Sequence, residues 1–548
     1  MNLYDLFTRQ VEQRPGAAAL TEWRQSRTVT LSFLDLESAA SRAAAMLTAS
    51  GLQAGDPVLV LVPMSVDLYV ALLAIFRLRL VAVFLDPSAG RQHIERCCGA
   101  FPPKALIATP KAHLLRCIRP ALRRIPIAFA TGRLRLPGAR SWSAWNRYAP
   151  YPTVAACGPN TPALMTFTSG STGAPKAALR SHGLLAAQQQ ILAAELRTAP
   201  GDLVLSGLPI FILSNLGSGA ANLIPGCDLS HPGDVDAAAI TERVRQLGVT
   251  CIQASPAFLA KVADHCSRRG IRLCGIRRIC TGGAPVFPRL LDRIQAVAPQ
   301  ADVTAIYGST EAEPIACLLR ADLRPEDRAA MDAGSGLLAG RPVAAARLRI
   351  LPDRWGTPIG PFGASEFDRL CLGPQQAGEI VVSGPHVLQG YLRGEGDRET
   401  KFSVAGEIWH RTGDAGCVDQ EGKLWLLGRC AAPIRDRQGV LYPFTVETAA
   451  DSLAAVRRSA CIRAGGKRTL VVEAAANATA AEWVLLKSRL AWARIERVLV
   501  LPRIPVDRRH NAKVDYPGLD RILKRQPLRY LLNHARQRAQ ASLAAFSR

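Results

Sequence analysis

The stretch "TFTSGSTGAPKAALRSH", residues 166–182, crowds glycines and hydroxylated side chains into a short segment and then supplies one lysine, Lys176. Gly170 and Gly173 let the backbone turn tightly, so that amide N–H groups can approach a ligand closely. Further donors come from four hydroxylated residues: Thr168, Ser169, Ser171 and Thr172. The natural target of such a loop is the oxyanions of a polyphosphate.

The loop is not a Walker A motif, which requires glycine directly before the lysine and serine or threonine directly after it. Here Pro175 precedes Lys176 and Ala177 follows it. Taken alone, the segment is equally well interpreted as a flexible Ser/Gly loop. The choice between the two interpretations depends on the rest of the chain.

Length and composition predict a large globular protein. At about 150 residues per domain, the 548 residues suggest three or four structural units. Hydrophobic residues make up 48% and charged residues 20%. The most apolar segment, residues 58–86, is interrupted by Pro63 and by charged residues such as Asp67. It therefore predicts a buried strand, a helix and a second strand rather than a membrane span.

Net charge and cysteine spacing indicate which partners and which cellular compartment to expect. The net charge is +24, which would attract any polyanion, but the arginines are spread over every segment and lack interleaved aromatic residues. We therefore expect an arginine-rich solvated surface and no nucleic-acid partner. The 14 cysteines have neither CxxC nor zinc-type spacing and are expected to be reduced thiols. Asp5 and the absence of a signal-length apolar run predict a cytoplasmic location.

Helices and strands alternate along most of the chain. Apolar runs at 56–63, 103–109 and 161–167 predict buried strands, whereas Ala/Leu-rich stretches at 33–50 and 183–197 predict helices. Such alternation is typical of an α/β fold, in which helices cover parallel sheets.

The pattern changes in the last third. Residues 340–395 predict short strands of a smaller, barrel-like, more antiparallel subdomain. We expect a large N-terminal domain at 1–428, a hinge at 429–432, and a small, mobile α+β lid domain at 433–548. A helix after Pro527 has one apolar face and several arginines. It would dock on its own domain or contact a membrane surface or an enzyme complex.

Five more motifs accompany the opening loop. They are "TGGAP" (281–285), "YGSTEAEP" (307–314), "HRTGDAG" (410–416), "GR" (428–429) and "RHNAKVD" (509–515). Each alone is a weak signal. In this order and spacing, the set resembles the adenylate-forming superfamily of acyl-CoA synthetases, peptide-synthetase adenylation domains and luciferases. The resemblance runs from about residue 5 to about residue 520.

The resemblance implies a role for each matching position in binding ATP and Mg²⁺. The segment from Thr168 to Lys176 looks like the phosphate loop, and Glu311 matches the magnesium ligand. Lys513 matches the lysine that the small domain brings to the site, and Thr310 the residue that contacts the α-phosphate. The other implied nucleotide contacts are Gly283 and Ala284 near the adenine, Tyr307 stacked on the base, the adjoining Gly308 and Ser309, Asp414 on the ribose hydroxyls, and Arg429 at the domain junction.

The implied reaction is attack of a carboxylate on the α-phosphorus of ATP with loss of pyrophosphate. Both reactants are anions, so the site must screen charge and hold them in line. The substrate partner is thus expected to be a small-molecule carboxylic acid.

Several departures concern the second step, after adenylation. Ala432 stands where the junction usually has an acidic or lysine hinge residue, and Ala512 stands where glycine usually precedes the lysine. Together with "WHRTGDAG" and "PVDRRHNAK", these features look closest to the olefin β-lactone synthetase branch, whose members adenylate a long-chain 3-hydroxy acid and close it without a thiol. The alternatives are an acyl-CoA or acyl-carrier-protein ligase, which would need coenzyme A or a carrier, a stand-alone adenylation enzyme of a biosynthetic cluster, and an idle nucleotide-binding scaffold protein.

Overall fold

The computed structural model describes residues 2–24, 27–85, 90–169, 175–476, 478–507 and 513–525. No helix within these ranges is both long enough and apolar enough to cross a membrane. The cysteines are free thiols, as their spacing predicted.

Strands occur along the whole described chain. They are β1 (Ala18–Arg24), β2 (Arg27–Ser32), β3 (Pro57–Leu61), β4 (Val81–Phe84), β5 (Ala105–Ala108), β6 (Ile127–Ala130), β7 (Arg140–Ser141), β8 (Pro162–Ser169), β9 (Pro175–Ser181), β10 (Leu203–Ser206), β11 (Ala221–Ile224), β12 (Cys251–Ala254), β13 (Arg278–Gly282), β14 (Asp302–Ser309), β15 (Ala312–Leu319), β16 (Leu337–Pro342), β17 (Arg347–Leu351), β18 (Gly378–Ser383), β19 (Lys401–Val404), β20 (Glu407–Val418), β21 (Leu424–Arg429), β22 (Ile434–Asp436), β23 (Gly439–Leu441), β24 (Val456–Ala464), β25 (Lys467–Ala474) and β26 (Arg497–Leu501).

Helices fill most of the connections between strands. They are α1 (Leu3–Gln13), α2 (Phe33–Ala49), α3 (Val66–Arg77), α4 (Arg91–Ala100), α5 (Pro110–His113), α6 (Leu115–Ile118), α7 (Pro120–Arg123), α8 (His182–Leu196), α9 (Pro209–Gly217), α10 (Ala237–Gln246), α11 (Pro256–Arg269), α12 (Pro288–Val297), α13 (Pro325–Asp332), α14 (Ala364–Leu370), α15 (Asp397–Thr400), α16 (Pro443–Asp451), α17 (Ala480–Arg489) and α18 (Tyr516–Arg525). The α/β fold class expected from the alternating pattern is confirmed.

The first sheet has the strand order β7-β6-β5-β3-β4-β8-β9 and is parallel except for the β8–β9 pair. Its central strands are buried runs such as Val58–Leu61, as expected where helices cover both faces. The carboxyl ends of β3 to β6 and β8 therefore meet at one edge of the sheet. The quoted phosphate loop connects β8 and β9 at this edge.

Helix α3 lies between the two large sheets. All of its residues from Val66 to Arg77 except Asp67 are buried. A helix that is apolar all round belongs inside a core. The same apolar cluster includes Val60 of β3, Leu20 of β1 and Ile224 of β11, so this helix packs the first sheet against the second.

The second sheet runs β17-β18-β20-β21-β16-β15-β14-β13-β12-β10-β11-β1-β2, with β19 paired to β20. Its segment from β14 to β11 is parallel, and its segment from β14 to β17 is antiparallel. The strands predicted at 340–395 thus extend this sheet. Within the described residues they form no closed barrel, because β16 continues the sheet through β15.

A buried ion pair holds the strand that carries Asp414. Arg411 of β20 donates from Nη2 to Glu379 of β18 at 2.6 Å and from Nη1 to the Thr357 carbonyl at 2.6 Å. Both side chains of the pair are almost completely excluded from solvent. Removing one partner of such a pair leaves an uncompensated buried charge and typically costs about 3–5 kcal/mol.

The strands after residue 434 form sheets of their own: the β22–β23 hairpin and the β24-β25-β26 sheet. This part contacts α12 of the larger part, where Arg289 donates to the Leu453 carbonyl at 2.8 Å and to Asp451 at 3.3 Å. The domain limits at 428 and 433 stay a prediction. The helix predicted after Pro527 lies outside the described residues.

The small sheet buries a carboxyl group that makes its stability depend on pH. Glu447 of α16 accepts hydrogen bonds from the Cys461 amide at 2.9 Å and from the Tyr516 hydroxyl. Burial raises its pKa to about 7, because the charged form loses hydration. Between about pH 4.5 and 7, Glu447 is therefore protonated in the folded state but ionised in the unfolded chain. The stability of the folded state falls as the pH rises through this range.

We expect Glu447→Gln to stabilise this part of the protein above pH 7 by up to about 3 kcal/mol and to leave it unchanged near pH 4. The amide oxygen keeps both hydrogen bonds without the charge. Hydrogen exchange of the β24 and β25 amides at several pH values measures the difference. Equal protection of wild type and variant at pH 8 would contradict the assignment.

Candidate active site

Asp414, Tyr307 and Arg429 meet at the junction of three strands. The Tyr307 hydroxyl at the end of β14 donates to Asp414 Oδ2 at 2.7 Å. Arg429 Nη1 lies 3.0 Å from Asp414 Oδ1, because β20 and β21 place these two residues directly opposite each other. The structure thus brings together three residues that the sequence assigned to the nucleotide.

These contacts leave Asp414 with acceptor capacity. Each carboxylate oxygen can accept about two hydrogen bonds, and the two contacts above use one site on each. Burial and the neighbouring Asp414 carboxylate raise the pKa of Tyr307 well above its usual value, so the phenol stays a donor. Tyr307 therefore also orients Asp414, a role that the sequence did not predict.

Glu311 is presented at the tip of a tight hairpin. Strand β14 ends at Ser309 and β15 begins at Ala312, and these two residues pair, so Thr310 and Glu311 form the two-residue connection. The Leu388 amide, which belongs to a different segment, donates to the Glu311 carbonyl at 2.7 Å and stabilises the turn. Both side chains assigned to phosphate and metal thus project from one rigid turn.

A second tyrosine–carboxylate pair orients Glu311. The Tyr391 hydroxyl donates to Glu311 Oε1 at 2.7 Å. The Tyr391 ring also lies 5.7 Å from Lys176 Nζ and 5.8 Å from Lys401 Nζ, within the range of cation–π attraction. Lys176, on the far side of the phosphate loop, is thereby joined to the hairpin tip.

Lys401 is a site residue that the sequence analysis missed. It is buried, and its ammonium donates to the Leu388 carbonyl. Burial lowers its pKa to about 7, and Glu311 and Asp397 oppose that shift. The carboxylate of Glu399 lies 3.7 Å from Lys176 Nζ. No local motif marked these positions, since only the folded chain brings the segment 391–401 to the phosphate loop.

The segment that carries Lys401 approaches Lys176 closely at a glycine. Gly396 has φ of +105°, and a Cβ atom there would lie 2.5 Å from Lys176 Cδ. Any other residue would therefore require both backbone strain and displacement of the lysine. Contact between the two segments depends on this glycine.

The phosphate loop is described only at its base. Thr168 pairs with Lys176 and Ser169 with Pro175 across β8 and β9. The loop residues Gly170, Ser171, Thr172 and Gly173 lie outside the described residues. Lys176, at the base of the loop, faces Tyr391 and Glu399.

The "TGGAP" turn lies beside Tyr307. It follows β13, whose last residue, Gly282, pairs with Ile306 of β14. Gly283 turns the chain with φ of +81° before Ala284. The hydroxyls of Thr281 and Ser309 are buried here and have no hydrogen-bond partner within the described chain. Unpartnered buried hydroxyls are expected where a ligand completes the site.

Lys513 belongs to the small domain. Its amide donates to Asp507 Oδ1 at 3.0 Å, and its carbonyl accepts from the Asp507 amide at 2.8 Å. Its backbone is thus fixed by residues of its own domain. Its catalytic role stays a prediction.

The described residues contain no group of three or more His, Cys, Asp or Glu that could hold a metal by themselves. Mg²⁺, however, commonly uses one or two carboxylates, several waters and substrate phosphates. Glu311 has one oxygen without a described partner and lies in the same cluster as Lys176, so the donor set fits a magnesium ion shared with a nucleotide.

A small cavity separates α8 from α9. Its volume is about 10 Å³, and its lining is mostly apolar: Leu3, Leu185, Gln188, Gln189, Leu192, Ile210, Leu213 and Ser214. That volume is about one water molecule. Helix α9, residues 209–217, contributes Ile210, Leu213 and Ser214 to this lining.

Comparison with known proteins identifies the family of this chain. The AMP-binding enzyme family matches residues 7–392. The chain is 30% identical to an olefin beta-lactone synthetase of Stenotrophomonas maltophilia, over 91% of this chain and 92% of that protein. It is 29% identical to a second one, from Xanthomonas campestris, over 89% of each. It is also 30% identical to an indoleacetate–CoA ligase of Aromatoleum aromaticum, over 82% of each.

Solved structures share the fold. A crystal structure of an anthranilate CoA ligase in complex with anthranoyl-AMP has a TM-score of 0.79 at 18% identity and covers 99% of this chain and 98% of that one. ATP-bound MatB from Rhodopseudomonas palustris has a TM-score of 0.77 at 22% identity, over 96% and 99%. The chain therefore belongs to the family of AMP-binding enzymes, the ATP-dependent, AMP-forming ligases and synthetases that activate an acid as its adenylate.

Proposed function

We propose that this enzyme adenylates a 3-hydroxy fatty acid and then closes it to a β-lactone. The observation that carries the proposal is the similarity to two olefin beta-lactone synthetases over nearly the whole length of each. Ala432 and Ala512, which depart from the usual thiol-transferring pattern, support it.

In the first step a carboxylate oxygen of the acid attacks the α-phosphorus of ATP, and the bond to pyrophosphate breaks. Lys176 and the phosphate loop would hold the leaving pyrophosphate, and Asp414 would hold the ribose. Magnesium, when bound at Glu311, screens the charge on the phosphate oxygens. Lys513 would stabilise charge on the transferring phosphoryl group.

In the second step the 3-hydroxyl oxygen attacks the acyl carbon of the adenylate. A carbon–oxygen bond closes the four-membered ring, the hydroxyl proton is lost, and the bond between the acyl carbon and AMP breaks. The chemistry needs no thiol acceptor and no cofactor beyond the ATP already used. Tight closure of the site would favour it, because water competes for the same adenylate.

The cavity between α8 and α9 supports an apolar substrate. Its lining is chiefly leucine and isoleucine. It is too small for an alkyl chain as it stands, so acid binding would require α9 to move relative to α8. Gln188, one of its polar lining residues, donates to Glu313 at 3.2 Å.

The second candidate is transfer of the acyl group to coenzyme A. It is favoured by the 30% identity to an indoleacetate–CoA ligase over 82% of each chain. Both candidates share the adenylation step and differ only in the acceptor.

An acid panel separates them. We expect a long-chain 3-hydroxy acid to give AMP and a product of lactone mass without coenzyme A. The matched plain fatty acid should stop at the adenylate. Turnover of plain acids that depends on coenzyme A, with an acyl-CoA product by mass, would overturn the lactone proposal.

Lys513→Ala tests the role of the small domain. We expect pyrophosphate exchange to fall by about 100- to 1000-fold, because one charge-stabilising group is lost from the transition state. ATP binding should persist. Lys487→Ala, an exposed lysine of the same domain, is the matched control. Exchange at the wild-type rate in Lys513→Ala would refute the assignment.

Tyr391→Phe tests Glu311 as the magnesium ligand. Loss of the hydroxyl that orients this carboxylate should raise the magnesium concentration for half-maximal rate by about tenfold or more. Tyr307→Phe makes the same chemical change beside Asp414 and should instead raise KM for ATP. If both variants show the wild-type magnesium dependence, Glu311 is not the ligand.

A further inference from the structure

A strongly basic surface with exposed aliphatic side chains lies at the carboxyl-terminal edge of the first sheet, three strands from the base of the phosphate loop. It is formed by residues 111–124 and 133–140, here called the basic apolar surface. We propose that this surface docks the enzyme onto an anionic phospholipid bilayer. The inference does not depend on which acid the enzyme activates.

The first observation is charge. From residue 96 to residue 147 the chain contains 11 lysines and arginines and no aspartate or glutamate. Eight of them belong to the surface: Lys111, Arg116, Arg119, Arg123, Arg124, Arg133, Arg135 and Arg140. They equal a third of the net charge of +24. Such a density of one sign attracts an anionic lipid surface.

These cations have no carboxylate partner within the described chain. Arg116 and Arg123 donate to backbone carbonyls, and Arg140 donates to the Ser50 hydroxyl. Glu95, the acidic residue just before this range, accepts a hydrogen bond from the Ala121 amide in the first turn of α7 at 3.2 Å. Elsewhere, arginines such as Arg411 pair with acids. The charge of this surface is thus available to an external partner.

The second observation is exposed apolar side chains among these charges. Leu114, Ile118 and Leu134 are 63%, 58% and 61% exposed. Leu114 and Ile118 are four residues apart on the α5–α6 segment and so share a face. Their neighbour Leu115 packs inward against the core. Exposed aliphatic residues within a basic surface are typical of segments that insert at the lipid headgroup boundary.

The two parts form one continuous surface. Helix α5 and the loop 131–139 follow β5 and β6, which are parallel neighbours. The Thr131 amide donates to the Ala108 carbonyl at 2.9 Å, and Arg116 donates to the Gly138 carbonyl at 3.2 Å. Leu134 and the α5–α6 face therefore lie at the same edge of the first sheet.

A bilayer suits this surface better than other polyanions. A nucleic acid offers phosphates but rewards aromatic stacking, and Phe129 and Trp142 of this region are buried. A bilayer offers anionic headgroups above an apolar layer, which matches arginines that surround leucine and isoleucine. The nucleotide site is separate, because β8 lies three strands from β5, about 14 Å at the usual spacing.

The test is co-sedimentation of the full chain with vesicles of phosphatidylcholine alone and vesicles in which phosphatidylglycerol replaces part of it. We expect binding only to the second kind, weakened by salt. Combined Arg124→Gln, Arg133→Gln and Arg135→Gln should weaken it at least about tenfold. Combined Arg268→Gln, Arg269→Gln and Arg369→Gln, exposed arginines elsewhere, make the same charge change and should leave it unaltered.

A second pair of variants tests the apolar contact. Leu114→Gln with Ile118→Gln should weaken binding, whereas Val484→Gln with Leu485→Gln, also exposed, should not. Pyrophosphate exchange without vesicles should equal wild type in all variants and so report correct folding. If a triple variant misfolds, the vesicle binding of the single variant Arg133→Gln tests the proposal instead.

Four outcomes would overturn the proposal. They are equal binding to both vesicle types, equal weakening by both arginine sets, retained binding in the surface variants, and no vesicle binding by the wild-type chain.

Discussion

The position of Asp414 depends on the buried contact between Arg411 and Glu379. Arg411 reaches both Glu379 oxygens and the Thr357 carbonyl, so three segments are tied to one guanidinium. Two charges without water hold each other strongly and tolerate little displacement. Strand β20 leaves this contact and reaches Asp414 three residues later, where Tyr307 and Arg429 meet it. A buried ion pair outside the nucleotide site thus fixes the position of Asp414 within it.

Two tyrosine–carboxylate pairs orient the two acidic side chains of the site. Tyr307 holds one oxygen of Asp414, and Tyr391 holds one oxygen of Glu311. In each pair a phenol fixes the carboxylate and stays neutral, because burial and the nearby carboxylate raise its pKa. Each acid can therefore present its remaining acceptor sites to a ligand in one orientation. Such preorganisation reduces the reorganisation needed when charge develops in the reaction.

Sequence reasoning located the residues that stand in local motifs and missed those that depend on distant packing. Glu311 lies in the two-residue turn between β14 and β15, and Asp414 lies within β20. Both belong to recognisable motifs, and the structure places Asp414 beside the predicted Tyr307 and Arg429. Lys401 has no motif, because its burial and its contact with Leu388 arise only when segment 391–401 folds over the hairpin. The barrel-like expectation was too closed because strand length does not reveal that β16 pairs with β15. The role predicted for Lys513 depends on domain position, which spacing does not encode.

The ring of Tyr391 has a consequence for how the site can change. Its aromatic ring contacts Lys176 and Lys401, and its hydroxyl donates to Glu311. Substitutions at residues with a shared partner are not additive. Lys176, Glu311, Tyr391 and Lys401 therefore form one interacting group, although they lie far apart in the sequence. We therefore expect the effect of a substitution at any one of them to depend on the residues present at the other three.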